Sequence, residues 1–312
     1  MSISTEIKQL LTAQKTEWEL AGKNFAGLDN AQVRAFDFDG FVIKVQFNPA
    51  RIISSAARVD NKSIEARPCF LCQANRPKEQ RGVSFGDYSV LINPFPIFPE
   101  HFTIPAGAHI PQRIMGNFAG MLNLAKAMEG YTLFYNGPKC GASAPDHFHF
   151  QAGNSGFMPI DNEIEVLKEK YGHTFQKNEV AVWAVKDGLR NFVLMKSANN
   201  EKLSATFDKV FEIMAKLCLA EEEPMVNMLT SFINGAWRVL IFPRALHRPW
   251  QYGAEGDDNI LLSPASVDMG GVLITPLEKD FKKITKADIK DIFGQVLLSV
   301  EKFDELISLL KL

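Results

Sequence analysis

The chain lacks what would send it to a membrane, a nucleic acid or an oxidising compartment. No run of about 18 apolar residues interrupts its 312 residues, so no membrane span is expected. Its 34 basic residues face 36 acidic ones, a net charge of −2, which leaves no broad positive surface, and nucleic acid is not expected as a partner. The opening residues Met1-Ser-Ile-Ser-Thr-Glu-Ile-Lys-Gln hold no apolar core of signal-peptide length. A cytoplasmic location with reduced thiols is expected, and the only four cysteines, Cys69, Cys72, Cys140 and Cys218, then predict no structural disulfide. Any phosphate binding has to be local. With 46% apolar residues, the chain can bury one large core or two smaller ones.

What the sequence does have is concentrated in Tyr135-Asn-Gly-Pro-Lys-Cys-Gly-Ala-Ser-Ala-Pro-Asp-His147-Phe-His149-Phe-Gln151, a Gly-rich turn leading into an alternating segment. On a β-strand successive side chains point to opposite faces, so His147, His149 and Gln151 are predicted on one face and Phe148 and Phe150 on the other. The small residues Gly137, Gly141, Ala142 and Ser143 can bring backbone N–H groups and a hydroxyl close to a phosphate. A histidine that attacks phosphorus must be neutral, with one ring nitrogen free and the other held by an acceptor. His149, in the middle of the triplet, is best placed for that. Gln151 can donate a hydrogen bond to a phosphoryl oxygen but cannot deliver a proton, which favours transfer to an acceptor over hydrolysis. A His-x-His pair also fits a metal site, or two histidines without a role.

Arg67-Pro-Cys69-Phe-Leu-Cys72-Gln-Ala-Asn75 supplies a Cys-x-x-Cys pair. Two thiols are half of a tetrahedral zinc site, and the remaining ligands have to come from His101, His109, His147, His149, His173 or His247. The alternatives are a redox pair, for which no thioredoxin-like context is visible, or two buried thiols.

Three separated motifs resemble the histidine-triad superfamily, in the branch of galactose-1-phosphate uridylyltransferases and dinucleoside polyphosphate phosphorylases. Cys69-Phe-Leu-Cys72-Gln-Ala-Asn75 is similar to the zinc Cys-x-x-Cys of the uridylyltransferases. Phe102-Thr-Ile-Pro105-Ala-Gly-Ala-His109 looks like the strand ending in a zinc-binding histidine. His147-Phe-His149-Phe-Gln151 matches the branch signature His-x-His-x-Gln, where the hydrolases of the superfamily have a third histidine in last place. The resemblance implies an α+β fold of two tandem α/β half-units with antiparallel sheets, forming a pseudo-dimer. It implies a structural zinc on Cys69, Cys72, His109 and His147, and a covalent nucleotidyl intermediate on His149, with His147 and Gln151 as its catalytic neighbours. Gln151 would hold the α-phosphate. Gly137-Pro-Lys139-Cys-Gly141-Ala-Ser143 is closest to the phosphate loop of the phosphorylases, which adds Asn136, Gly137, Lys139, Gly141 and Ser143 as substrate contacts. Gln46-Phe-Asn48-Pro-Ala-Arg51 resembles a segment of the GDP-hexose phosphorylases, which adds Arg51.

The expected donor is a nucleotide, an NDP-sugar or a dinucleoside polyphosphate, and the acceptor phosphate or a sugar phosphate. Three other readings stand beside this one: a hydrolase of nucleotide conjugates, a zinc-stabilised nucleotide-binding module without chemistry, and a metallohydrolase with its metal on His147 and His149.

The expected organisation is an N-terminal helix in 1–30, a catalytic half in 31–160 and a degenerate second half in 161–312. Apolar spacing predicts a helix over 3–21, a strand pair turning near Asp39-Gly40, strands at 89–93 and 101–104, a helix over 111–128 and a strand at 131–135. The order then repeats as a strand at 192–196, a helix over 204–220 and strands at 226–232 and 237–242. The register equivalents of the triplet would be Trp237, Val239 and Ile241, all apolar, so the second half completes the fold without catalysing. Thr285-Lys-Ala-Asp288 is a capping box for a last helix carrying Ile289, Ile292, Phe293, Val296, Val300 and Phe303 on its apolar side.

Overall fold

Alternating apolar residues build the strands of a computed structural model that describes residues 2–52, 60–177, 179–220 and 222–310. In chain order these are β1 (Gln32–Phe38), β2 (Phe41–Phe47), β3 (Gly82–Phe85), β4 (Tyr88–Ile92), β5 (His101–Pro105), β6 (Tyr131–Asn136), β7 (His149–Asn154), β8 (Gly172–Lys177), β9 (Val180–Lys186), β10 (Asn191–Ser197), β11 (Val226–Ile233), β12 (Ala236–Pro243) and β13 (Val272–Thr275). Ten of them form one antiparallel sheet in the order β3-β4-β5-β7-β6-β11-β12-β10-β9-β8. That order reads the same from both ends once β3 to β7 are matched to β8 to β12. The sheet is therefore two tandem half-units joined where β6 pairs with β11, as an α+β pseudo-dimer requires.

Each half-unit sends one helix back across the same face, Phe118–Ala127 between β5 and β6 and Asn200–Leu217 between β10 and β11. The two helices meet at Phe118 and Phe207, whose rings stack with centroids 3.9 Å apart. Helices Ile3–Glu17, Glu19–Gly27 and Val300–Leu310 extend this layer. The opposite face is covered by the small sheet β1-β2-β13 and by helices Pro159–Tyr171, Glu278–Lys283 and Lys286–Val296. Among the described residues, no helix is long and apolar enough to cross a membrane.

Three departures from the sequence expectations have physical causes. The helix expected from residue 111 begins only at Phe118, because Gly116 takes a φ of +79° and Gln112 turns inward to bond two backbone carbonyls. The last helix is two, broken at 297–299, where the Leu298 N–H bonds the Pro243 carbonyl and so runs the chain beside β12. The third concerns the equivalents of the triplet. Trp237, Val239 and Ile241 pack into the helix-covered core with Phe148 and Phe150, whereas the β12 residues on the His149 face are Arg238, Leu240 and Phe242. The strand was read one residue out of phase, which flips every side chain. The second half still places no histidine there.

Candidate active site

β7 starts at His149, so His147 stands in the turn before it and not on the strand. Its ring is held from both sides. Nε2 donates to the Ala106 carbonyl at 2.9 Å, which leaves Nδ1 as the nitrogen directed at two sulfurs, Cys69 Sγ at 3.3 Å and Cys72 Sγ at 3.5 Å. His109 Nδ1 lies 3.2 Å from Cys72 Sγ, and the four ligand atoms of Cys69, Cys72, His109 and His147 all lie within 4.8 Å of one another. For metal–sulfur bonds of about 2.3 Å and metal–nitrogen bonds of about 2.0 Å, a tetrahedron has S···N edges of about 3.5 Å. The four residues fit a tetrahedral metal ion. The Asp146 carboxylate stands 3.7 Å from His109 Nε2, beyond hydrogen-bond length. His149 is not part of this cluster, so the two histidines of the motif do not share a metal.

With both ring nitrogens engaged, His147 has no side-chain atom left for substrate. Its carbonyl accepts the His149 Nδ1–H at 2.8 Å. That bond fixes the tautomer and leaves Nε2 with a lone pair. Burial pushes the His149 imidazole down to about 4, keeping it neutral. Gln112 clamps the backbone at the same point: its Oε1 accepts the His149 N–H at 2.7 Å, and its Nε2 donates to the carbonyls of His149 and Asn136.

His149 and Gln151 open into a cleft of about 780 Å³, within the range that holds nucleotide-sized ligands. Its lining mixes apolar Trp18, Leu20, Phe70 and Phe95 with cationic Arg51, Arg67 and Arg248, the Arg67 guanidinium lying over the Phe70 ring and Arg51 bonding the Phe95 carbonyl. Of the phosphate-loop residues expected from the sequence, Asn136, Gly141 and Ser143 line this cleft. Asn136 Oδ1 accepts from Asn227 Nδ2 and from the Ser266 N–H. Gly141 has a φ of +95°, and a Cβ there would stand 2.6 Å from the Ala265 methyl. Gly137 and Lys139 stand apart from the cleft lining. The Gly137 N–H is spent on the Val226 carbonyl, and its missing Cβ makes room for that same oxygen. Lys139 is exposed and does not line the cleft. Arg51 does line it, donating to the Phe95 carbonyl through Nη1 while its buried Nε has no partner among the described residues.

Two cationic residues escaped the sequence reading. Arg67 bonds the Ser143 carbonyl and approaches Asp146 at 3.5 Å, so the loop that carries the thiols also braces the phosphate loop. Arg244, fully buried in the second half, donates to Asn227 Oδ1 and to the carbonyls of Pro264, Val296, Leu246 and His247. Asn227 passes this on to Asn136 and to the Cys140 carbonyl. Without a carboxylate partner nearby in sequence, neither arginine carries a motif. Arg244→Met leaves five acceptors without their donor, and at about 1 to 3 kcal/mol for each buried acceptor it is expected to be among the most destabilising single changes. Urea denaturation of the variant and of Arg67→Met, whose guanidinium is half-exposed, measures the contrast.

Residues 10–154 match a family described as a domain of unknown function, DUF4922, and residues 165–311 match the GDPGP1-like C-terminal domain. A search of curated proteins gives no significant match. Two solved structures of yeast Ap4A phosphorylase Apa2 share the fold at 16% identity. The complex with AMP has a TM-score of 0.60 over 93% of this chain and 95% of that one, and the other structure 0.61 over 91% and 98%. The likeness to these structures shows the fold. It runs nearly the length of the chain, with β7, which carries His149 and Gln151, next to β6 at the junction of the two half-units.

Proposed function

We propose that this protein is a nucleotidyltransferase of the phosphorylase kind, passing a nucleoside monophosphate through His149 to phosphate or a sugar phosphate. The observation that carries the reading is the His149 ring: Nδ1–H is tied to the His147 carbonyl, and Nε2 is left for the cleft beside Gln151. In the first step the Nε2 lone pair forms a bond to the α-phosphorus, and the bond from that phosphorus to the leaving phosphate oxygen breaks. In the second an acceptor phosphate oxygen attacks, the P–N bond breaks and Nε2 regains its lone pair. Each leaving group departs as an anion, so neither step needs a proton from the protein. Catalysis rests on alignment and on donors around the phosphoryl oxygens. Gln151 holds the α-phosphate, with Asn136, Ser143 and Gly141 around it and the cationic side chains facing the remaining phosphates. Donor candidates are nucleotides, NDP-sugars and dinucleoside polyphosphates; the fold neighbours that act on Ap4A support the last of these.

The four-residue cluster holds zinc in this reading, since two thiolates and two imidazoles form a closed structural set with no open position for substrate. It pins the loop that bears Arg67.

The test is Gln151→His with donors of all three kinds. A histidine can protonate a leaving group where an amide cannot, an effect worth roughly 10²-fold or more in general acid catalysis. The ratio of hydrolysis to phosphate-dependent transfer is expected to rise by about that factor, read from product release with and without phosphate. A variant that leaves the ratio unchanged, alongside a wild type that hydrolyses without phosphate, would show a hydrolase instead.

A further inference from the structure

We infer that His101 and Asn93 lock the side-chain amide of Gln151 in one orientation, carbonyl inward and NH₂ toward the cleft, so that His101 is a positioning residue for the donor that meets the phosphate. This rests on the reading of the cleft given above and adds how its donor is set.

Two backbone N–H groups, which can only donate, set the direction of both hydrogen-bond chains. The Ile97 N–H lies 3.1 Å from His101 Nδ1, so that nitrogen accepts. A neutral imidazole then carries its proton on Nε2, and Nε2 stands 3.1 Å from Gln151 Oε1. The second chain begins at the Phe95 N–H, 2.9 Å from Asn93 Oδ1. That settles Asn93 Nδ2 as the donor end, and it reaches Gln151 Oε1 at 3.3 Å and Thr103 Oγ1 at 3.1 Å. Two independent chains thus converge on one oxygen of Gln151. Among the described residues its Nε2 bonds to no protein atom, and the residue lines the cleft. An amide flipped by 180° would set its NH₂ against two donors and lose both bonds. Neutrality of the ring follows from its place: His101 is fully buried near Arg51, and burial pushes it down to about 3. Because its anchor is a main-chain N–H four residues upstream, the arrangement exists before any ligand binds.

The experiment uses the full chain with ¹⁵N-labelled histidine and glutamine, in long-range ¹H–¹⁵N spectra between about pH 5.5 and 8. The expected result is a His101 ring protonated on Nε2 alone throughout that range. Addition of AMP or GMP is then expected to shift the Gln151 NH₂ protons. In His101→Ala, recorded well below its own melting temperature and with the remaining amide spectrum native-like, that shift is expected to fall by more than half, and His101→Gln, which can set an amide nitrogen where Nε2 stands, is expected to restore it. A proton on Nδ1, a ring that gains a second proton in this range, or a Gln151 shift indifferent to His101→Ala would overturn the assignment. If His101 shows the expected tautomer while neither nucleotide moves Gln151, the positioning stands and the nucleotide reading of the cleft falls.

Discussion

His149→Ala is expected to abolish nucleotidyl transfer, lowering turnover by a factor on the order of 10⁵, as loss of a covalent nucleophile does. The donor should still bind, because the cationic and apolar residues lining the cleft are untouched. Stability should also hold. The ring's one hydrogen bond in the protein is to the His147 carbonyl, while Gln112 grips only the backbone of residue 149. Gln151→Ala provides the internal scale, since removing one donor to a developing charge costs roughly 10²- to 10³-fold. Turnover and calorimetric affinity of the two variants separate the roles: a nucleophile loses nearly all rate at constant affinity, a phosphate donor loses part of it. A His149→Ala protein within tenfold of the wild-type rate would move the chemistry to another residue.

The second large effect concerns the metal. The loop around the thiols has a very small apolar core of its own, Cys69, Leu71 and Ala144 with Cys72 beside them. Burying one leucine contributes about 1.5 to 3 kcal/mol. Ordering about ten residues of backbone costs at least about 1 kcal/mol each, so packing alone does not hold the loop. The zinc proposed for the four-residue cluster would close that gap, because its binding free energy becomes folding free energy. Chelation or Cys69→Ser is therefore expected to lower the melting temperature by roughly 10 °C, at about 2 to 4 °C per kcal/mol for a chain of this size or somewhat smaller. Activity should fall with it, since Arg67 and the Ser143 carbonyl it bonds lose their anchor. Elemental analysis should give one zinc per chain. Full stability after chelation, with lost activity, would instead assign the metal to catalysis.

The parts of the fold and site that could be read from the sequence are those carried by short-range pattern. His149 and Gln151 could be placed on one strand face because alternation is a local property, and the repeated strand–helix–strand order showed the tandem half-units now seen in the palindromic sheet. The four metal-cluster residues had to be taken from the resemblance, and the geometry brings their ligand atoms together. What stayed hidden is tertiary. Gln112 sits in a run that reads as helix, and only the folded chain shows it bonding the backbone on both sides of His149. His101 and Asn93 reach Gln151 from β5 and from the end of β4, across separations of 50 and 58 residues. The phase error at β12 has the same origin, since pairing with β11 decides which side chains of β12 face the site, and one residue suffices to exchange the faces. His147 was misread in part because a turn, not the strand, sets its ring direction.

The covalent nucleotidyl-His149 intermediate is the central claim, and intact-protein mass spectrometry after brief incubation with nucleoside triphosphates, NDP-sugars and dinucleoside tetraphosphates tests it most directly. The account predicts an acid-labile gain of one nucleoside monophosphate in the wild type and none in His149→Ala, with phosphate discharging the adduct. The absence of any adduct from every donor, in a zinc-loaded protein that still binds nucleotides, would contradict it.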